Sequence, residues 1–285
     1  MSHFVDFRNV WLAYNDELLA QGHFAVEDIS LQVTQGEFIA IVGPSGCGKS
    51  TFMKLTTGLK RPSKGTIHIG GEPVSGPLKI SGMAFQAPSL LPWRTTLDNV
   101  LLPLEIVEPY RSTFKARRGD YEEKARDLLK GVGLAGYEDK FPWQLSGGMQ
   151  QRASICRALI HEPKMLLLDE PFGALDAFTR EELWCALRDL HAEKKFNVIL
   201  VTHDLRESVF LADTVYVMSK SPGRFVVKRH IDLPRPRDLE VTYTPEFTDI
   251  VHELRGHIGA IRNPSPHTNT NTNTSVTGTS GALPQ

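Results

Sequence analysis

Short runs of apolar residues alternate along the chain with longer stretches in which apolar positions recur every three or four residues. The runs Phe38–Val42, Met165–Asp169 and Asn197–Thr202 have the length of strands that are buried on both faces. Two other stretches place their apolar residues on one helical face, namely Tyr121, Ala125, Leu128, Leu129 and Val132 in the first and Leu183, Leu187 and Leu190 in the second. This alternation predicts an α/β fold with a mainly parallel sheet that the two helices cover.

The two ends of the chain depart from this pattern. Phe4–Val10 and Ile29–Val33 predict a small antiparallel β region ahead of the first core strand, and Pro245–Ile258 predicts a last amphipathic helix. The segment that follows is rich in Asn and Thr, with too little apolar surface to offset the entropy of ordering it. We therefore predict one domain over residues 1–260 and a disordered tail over residues 261–285.

Composition limits the class of protein further. With 41% hydrophobic and 23% charged residues, the 285-residue chain is neither wholly disordered nor a disulfide scaffold. The 32 basic and 33 acidic residues give a net charge of -1, which argues against a nucleic-acid partner. Three cysteines without metal-ligand spacing, no apolar stretch of membrane-spanning length and no signal peptide predict a soluble, cytoplasmic protein.

A phosphate-binding loop follows the first core strand. It reads Gly43, Pro44, Ser45, Gly46, Cys47, Gly48, Lys49 and Ser50, and it fits the pattern G-x-x-x-x-G-K-[ST] between a strand and a helix that starts near Lys49. The glycines let backbone N–H groups point at phosphate oxygens, and the helix N-terminus adds partial positive charge. Lys49 would reach the β and γ phosphates and Ser50 would ligate Mg²⁺, with Thr51 beside them and Cys47 contributing backbone alone.

Two carboxylates end the apolar run Met165–Asp169. A strand that ends in Asp169 and Glu170 delivers charge to the sheet edge where ligands bind. Taken alone, such a pair is more often a helix cap. Beside a phosphate loop it predicts a metal-side Asp169 and a Glu170 that polarises the attacking water.

Two further motifs narrow the kind of nucleotide enzyme. Leu145–Arg152 places Ser146 as a cap and two glycines at the start of a helix, which is a second anion-binding end that a small regulatory GTPase does not need. A further strand, Val198–Thr202, is followed by His203, which is suited to hydrogen bonding a phosphate oxygen or the water.

Together these motifs resemble the ATP-binding subunit of an ABC transporter, over about Phe4 to Ile258. The resemblance implies a P-loop NTPase core, a helical signature subdomain at about 87–160, and ATP and Mg²⁺ as ligands. It also implies roles for individual residues. Tyr14 would stack on adenine, with Trp11 and Phe24 as competitors, and Gln86 would be a sensing glutamine at the metal. Asp176 would lie in the loop that couples two sites, His203 would be the switch histidine, and the signature would consist of Ser146, Gly147, Gly148 and Gln150.

The phosphate loop and the Ser-Gly-Gly helix end both suit one γ phosphate, yet the family places them far apart on one subunit. Two subunits are therefore expected to face each other head to tail, each completing the other's site. By the same resemblance, this homodimer docks on two membrane-spanning permease subunits at the cytoplasmic face of the inner membrane, and a periplasmic or lipid-anchored solute-binding protein acts indirectly. The stretch Gln86–Asn99 either receives a permease helix or packs within its own helical lobe, and the sequence leaves both open.

Three short sequence segments suggest which substrate is transported. Phe141–Gln144, Asp169–Arg180 and Ser221–Arg224 are similar to the nitrate, sulfonate and taurine importer group. Importers of phthalate-like or pyrimidine compounds use similar ATPases, so they remain alternatives. A soluble, non-transport ABC ATPase is the alternative from another class, although such proteins usually carry long coiled-coil insertions or two cassettes.

Overall fold

The computed structural model describes residues 3–262. Within this range the strands are β1 (Val5–Leu12), β2 (Val26–Val33), β3 (Phe38–Val42), β4 (Lys64–Ile69), β5 (Glu72–Pro73), β6 (Ser81–Ala84), β7 (Met165–Asp169), β8 (Asn197–Thr202), β9 (Thr214–Met218) and β10 (Phe225–His230). The helices are α1 (Asp16–Ala20), α2 (Lys49–Thr56), α3 (Thr96–Ile106), α4 (Tyr110–Thr113), α5 (Arg118–Gly131), α6 (Gly147–Leu159), α7 (Ala177–Lys194), α8 (Leu205–Leu211) and α9 (Pro245–Arg262).

The larger sheet has the strand order β10-β9-β3-β8-β7-β6. Five of these strands are parallel, and β10 pairs antiparallel with β9. Val42 pairs with Thr202 and Asp169 pairs with Val201, so the carboxyl ends of β3, β7 and β8 share one edge. The predicted fold class is confirmed, and the three predicted core strands have the observed bounds.

Both faces of this sheet are buried, which explains the uninterrupted apolar runs. On β3, Phe38, Ala40 and Val42 pack into the core formed with α7, α8 and α9. Ile39 and Ile41 point to the opposite face, where α2 and the smaller sheet cover them. Because side chains alternate across a strand, a strand covered on both faces shows no polar alternation.

The smaller sheet has the order β2-β1-β4-β5, with antiparallel pairing throughout. It packs through β1 and β2 onto α2, where Phe7 stacks on Phe52 with ring centroids 5.0 Å apart. The antiparallel region predicted at the N-terminus is thereby observed, and it lies against the helix that follows the phosphate loop.

Helices α3, α5 and α6 form a separate apolar cluster. The face of α5 that carries Tyr121, Ala125 and Leu129 packs against residues of α3 and α6 rather than on a sheet. The expectation that this face covers the sheet is therefore wrong, because an amphipathic pattern specifies a buried face and not the surface that buries it. Leu183 and Leu187 of α7 do cover the sheet as expected.

The C-terminal helix α9 packs its apolar face, with Phe247, Ile250 and Leu254, onto the sheet-covering core. It extends to Arg262, so Ile261 and Arg262 are helical rather than part of the predicted tail. Residues 263–285 of that tail lie outside the described residues. None of the helices between residues 3 and 262 is long and apolar enough to cross a membrane.

Candidate active site

The phosphate loop joins β3 to α2 at the carboxyl edge of the larger sheet. Gly46 and Gly48 have φ values of +76° and +103°, which favour glycine. A side chain at Gly48 would also lie 2.9 Å from Val26 Cγ1, so the loop packs closely on β2. Gly48 is the N-cap of α2, so no side chain at the cap position accepts a hydrogen bond from the first N–H groups of this helix. Those N–H groups are free to bind phosphate oxygens.

A cavity of about 380 Å³ lies over this loop. Its lining comprises Tyr14, Ala25, Ser45, Gly46, Gly48, Lys49, Ser50, Thr51, Asp169, Glu170 and Ser221. The structure thus brings the phosphate loop, the carboxylates after β7 and the predicted adenine-stacking tyrosine together around one space. That volume falls in the range of small-molecule sites.

Two residues of this lining, Ala25 and Ser221, were not predicted as site residues. Ser221 begins the turn before β10, and a side chain at Gly223 in that turn would lie 2.2 Å from the carbonyl oxygen of Cys47. The turn therefore presses on the phosphate loop. A Ser-Pro-Gly sequence is typical of a turn, but nothing in it specifies where the turn packs.

Lys49 is buried, at 8% exposure, and its ammonium is held by the loop itself. Its Nζ donates to the carbonyl oxygens of Gly43 at 3.0 Å and Pro44 at 3.2 Å. The positive charge of Lys49 thus lies at the base of the cavity, within the loop whose sequence predicts phosphate binding. Cys47 is also buried, and burial raises the pKa of its thiol, which fits a structural rather than a reactive cysteine.

The predicted metal ligands are only partly assembled. Ser50, at the start of α2, and Asp169, at the end of β7, line the same cavity, whereas Gln86 does not. Burial, and then the charge of Glu170, raises the pKa of Asp169, and Lys49 opposes this shift. Within residues 3–262, no cluster of three or more His, Cys, Asp or Glu could hold a metal alone. One carboxylate and one hydroxyl fit Mg²⁺, which takes its other ligands from phosphates and water.

Glu170 and His203 meet at this edge, because β7 and β8 are neighbours. His203 Nδ1 lies 3.1 Å from Glu170 Oε2, within hydrogen-bond distance. The backbone of Glu170 has a φ of +47°, a conformation that non-glycine residues rarely adopt, and its N–H donates to the carbonyl of Val201 at 2.8 Å. Strained backbone of this kind is common at functional sites. The arrangement presents one carboxylate oriented by an imidazole beside the phosphate loop.

Gln86 follows β6 and lies near this pair without lining the cavity. A β-carbon at Gly173 would be 3.6 Å from Gln86 Nε2 and 3.9 Å from His203 Cε1, so the three loops approach each other at Gly173. The preceding residue is fixed to α6, since Gln151 Nε2 donates to the carbonyl of Phe85 at 3.0 Å. This contact links the predicted sensing glutamine to the helix that begins with the signature.

Tyr14 lines the cavity, and the residue is 45% exposed. Its hydroxyl forms a hydrogen bond of 2.7 Å with Thr51 Oγ1, which anchors the ring beside α2. Trp11 and Phe24, the competitors for stacking on a base, pack edge to face on each other at 4.8 Å and are absent from the lining of the cavity. The geometry favours Tyr14 as the stacking aromatic.

The signature residues lie outside this cavity. Ser146 caps α6 by accepting from the N–H of Met149 at 3.3 Å, as predicted, and Gln150 Nε2 donates to the carbonyl of Pro142 at 3.0 Å. A β-carbon at Gly147 would meet no atom within 4 Å in the described part of the chain, so this end of α6 faces open space. Asp176 caps α7 and also lies outside the cavity. One chain therefore does not bring the signature and the phosphate loop to a common space.

The stretch Gln86–Asn99 was expected either to receive a permease helix or to pack within its own lobe, and different residues of it fit each interpretation. Leu90 packs against the α3-α5-α6 cluster, whereas Trp93 is 70% exposed. Arg94 forms a two-pronged ion pair with Glu105, with N–O distances of 2.7 and 3.0 Å. Part of the stretch therefore supports the lobe, and Trp93 faces outward.

Comparison with known proteins agrees with the geometry. A family model described as ABC transporter matches residues 26–173. The aliphatic sulfonates import ATP-binding protein SsuB of Bacillus licheniformis is 43% identical over 226 residues, covering 78% of this chain and 85% of that protein. The taurine import ATP-binding protein TauB of Yersinia pestis is 44% identical over 206 residues, covering 72% of this chain and 78% of that protein.

A solved structure gives the same result. The dimeric, post-hydrolysis structure of the ATP-binding cassette MJ0796 bound to ADP and Pi matches with a TM-score of 0.66 and 29% identity, over 81% of this chain and all of that one. The family match and the similarity to this cassette show that the chain is an ABC-type ATP-binding cassette. It belongs to the ABC transporter family, and its resemblance to the sulfonate and taurine importer group is confirmed.

Proposed function

We propose that this chain is the ATP-hydrolysing subunit of an importer for small sulfonate-, taurine- or nitrate-like solutes. The observation that carries the proposal is the convergence of Lys49, Asp169 and Glu170 on one cavity at the sheet edge, with His203 on Glu170. The relatives named for sulfonate and taurine import support the substrate class. They do not favour phthalate-like or pyrimidine compounds, nor a soluble, non-transport ATPase.

In this proposal the residues of the cavity divide the work of hydrolysis. Lys49 and the N–H groups of the loop bind the β and γ phosphates, while the Tyr14 ring stacks on the adenine. Ser50 and Asp169 would hold Mg²⁺, and Gln86 would join them as a third ligand. When bound, Mg²⁺ neutralises charge on the phosphates.

Glu170 accepts a proton from water as the water oxygen forms its bond to the γ phosphorus. The bond from that phosphorus to the β-phosphate oxygen then breaks, and ADP and phosphate leave. His203 holds the Glu170 carboxylate in position through the contact at Nδ1. Since general-base catalysis contributes roughly 10² to 10⁴ in rate, the loss of Glu170 should be severe.

The assembly we propose is a head-to-tail homodimer. The signature residues Ser146, Gly147, Gly148 and Gln150 at the start of α6, and Asp176 at the start of α7, would face the phosphate loop of the second copy. The dimeric structure of the similar cassette MJ0796 supports this arrangement. ATP would then act as the adhesive between subunits, and hydrolysis would release them.

We further propose that the dimer binds two permease subunits at the cytoplasmic face of the inner membrane, and that a periplasmic or lipid-anchored solute-binding protein delivers the solute. The residues from about 87 to 160, with α3 to α6, would form the helical subdomain of a domain spanning residues 1–260. The exposed Trp93 favours permease contact at its edge. Nucleic acid is not a proposed partner, given the net charge of -1.

A growth experiment tests the proposal. A strain that lacks this chain should fail to grow on an alkanesulfonate as sole sulfur source and should grow normally on sulfate. The wild-type chain should restore growth and Glu170→Gln should not, while purified Glu170→Gln should hydrolyse ATP roughly 10² to 10⁴ times more slowly than the wild type. Normal growth of the deletion strain on sulfonates, taurine and nitrate would contradict the proposed substrate class, and undiminished hydrolysis by Glu170→Gln would contradict the catalytic assignment.

A further inference from the structure

One arginine connects two loops that border the candidate active site. Arg180 lies in the first turn of α7, and its Nη2 donates to the carbonyl oxygen of Leu175 at 3.1 Å. Its Nη1 donates to Asp204 Oδ2, also at 3.1 Å. Leu175 belongs to the loop 173–176 that ends in Asp176, and Asp204 directly follows His203 in the chain. A single planar group thus spans the two segments.

Asp204 is itself fixed to its surroundings on three sides. Its Oδ1 accepts from the N–H of Arg206 at 2.8 Å and caps α8, while its Oδ2 is left for Arg180. Its own N–H donates to Thr202 Oγ1 at 2.9 Å. The turn from Thr202 to Asp204, which carries His203, therefore cannot shift without moving the carboxylate that Arg180 holds.

The loop 173–176 is short, and it is tied to the preceding residues by backbone hydrogen bonds. The N–H of Gly173 donates to the carbonyl of Glu170 at 3.3 Å, and that of Leu175 donates to the carbonyl of Phe172 at 3.1 Å. Leu175 is the buried residue of this loop, and its carbonyl is the group that Arg180 binds. At its far end, Asp176 is exposed and caps α7.

We propose that Arg180 is a positioning residue that makes the place of His203 depend on the place of the loop 173–176. The inference rests on the proposed function, in which that loop meets a second copy of the chain. When the second copy meets the loop, the Leu175 carbonyl and Asp204 hold Arg180 between them, and Arg180 keeps His203 at its contact of 3.1 Å with Glu170. The position of the loop at the dimer face would thereby set the rate of hydrolysis in the same subunit.

The test is a set of substitutions in the full chain, measured for kcat, KM for ATP and nucleotide affinity. Arg180→Met should lower kcat about tenfold, because a small misplacement of a catalytic group is costly, and should leave nucleotide affinity within about twofold. Asp204→Asn should behave alike, since asparagine keeps the cap of α8 but loses the charge that pairs with Arg180. The two variants remove opposite ends of one contact, so failure of either to fold leaves the other as the test.

A matched control lies on the same helix. Arg188 also donates to a backbone carbonyl, that of Arg237, and to a carboxylate, that of Asp189 at 2.7 Å. Arg188→Met should therefore lose a similar set of contacts, with a comparable change in melting temperature and a kcat close to that of the wild type.

A double-mutant cycle separates positioning from a merely structural role. If Arg180 acts through His203, then adding Arg180→Met to His203→Ala should lower kcat no further than His203→Ala alone. Multiplicative losses, a wild-type kcat in both single variants, or an equal loss of kcat in Arg188→Met would overturn the inference. A wild-type chain that does not hydrolyse ATP would instead contradict the proposed function, and the inference would fall with it.

Discussion

At the scale of single residues, Glu207 occupies a place where a carboxyl group is difficult to ionise. It lies on α8, one turn after His203, and is 3% exposed. It borders a small cavity of about 30 Å³ together with Glu170, Thr202 and His203. Burial raises the pKa of Glu207 to about 8, with Asp204 adding to this shift and Thr202 and Arg180 opposing it. Near neutral pH the group is therefore mostly a neutral carboxylic acid.

This raised pKa predicts a pH-dependent stability. The folded chain holds the proton more tightly than the unfolded chain, so the stabilisation is complete below a pH of about 4.5 and is lost as the pH rises to about 8. Glu207→Gln mimics the neutral acid and should lose less stability over that range. The free energy of unfolding of the variant relative to the wild type should thus rise with pH by about 1 kcal/mol per unit.

Urea titrations at three pH values between 5 and 8 would measure this difference. Glu246→Gln, which changes an exposed glutamate in the first turn of α9, serves as the control and should give a curve parallel to that of the wild type. If Glu207→Gln also runs parallel to the wild type, the carboxyl group is already ionised in the folded chain and the account of Glu207 is wrong.

Site residues that belong to sequence motifs could be placed from the sequence, whereas a residue whose role depends on contacts with distant parts of the chain could not. Lys49, Asp169, Glu170 and His203 follow from strand ends and loop chemistry, and β3, β7 and β8 bring their ends to one edge. Arg180 acquires its partners through contacts with positions 5 and 24 residues away, and no local pattern encodes the second of these. The roles predicted for the site residues stay predictions, although the geometry gathers Tyr14, the phosphate loop and the two carboxylates.

At the scale of elements, the starts of α6 and α7 are packed against each other. A β-carbon at Gly148 would lie 2.4 Å from Thr179 Cγ2, on a stiff β-branched side chain, whereas the same atom at Gly147 would meet nothing within 4 Å in residues 3–262. Glycine thus stands at these two neighbouring positions for different physical reasons. Gly148 permits close approach within the chain, and Gly147 leaves a surface open.

Alanine substitutions distinguish the two. Gly148→Ala should lower the free energy of unfolding by about 1 to 3 kcal/mol through overpacking. Gly147→Ala should leave it unchanged or raise it by up to about 1 kcal/mol, since alanine is the better helix former. Chemical denaturation of both variants would measure the contrast, and equal stabilities would contradict the packing described for α6 and α7.

The elements also show where sequence pattern stops being informative. Three strands had their predicted bounds because β3, β7 and β8 are buried on both faces and their runs end at loops with recognisable chemistry. The α5 face was assigned to the wrong surface, since its periodicity is the same whether it covers a sheet or other helices. Which helices share a core depends on the path of the chain and not on their own residues.

At the scale of the whole molecule, the phosphate loop cavity and the Ser146-capped start of α6 do not line a common space within residues 3–262. In the proposed homodimer, α6 of the second copy would close the cavity of the first. Gly147 offers a direct probe, because its own chain leaves room for a side chain there. Gly147→Asp would place a negative charge toward the partner's phosphates without disturbing its own fold, and an acidic residue suits a helix start.

The most direct measurement of this account is ATPase activity after mixing two inactive variants. Lys49→Ala breaks the phosphate loop and Gly147→Asp breaks the signature, so each alone should be nearly inactive. A mixed dimer retains one complete site, made of the loop of one chain and the signature of the other, and random mixing should restore about a quarter of the wild-type rate. Mixing Lys49→Ala with the double variant leaves no complete site and should restore nothing. Activity that stays at the sum of the separate variants would show that the two halves do not meet, and it would contradict the account.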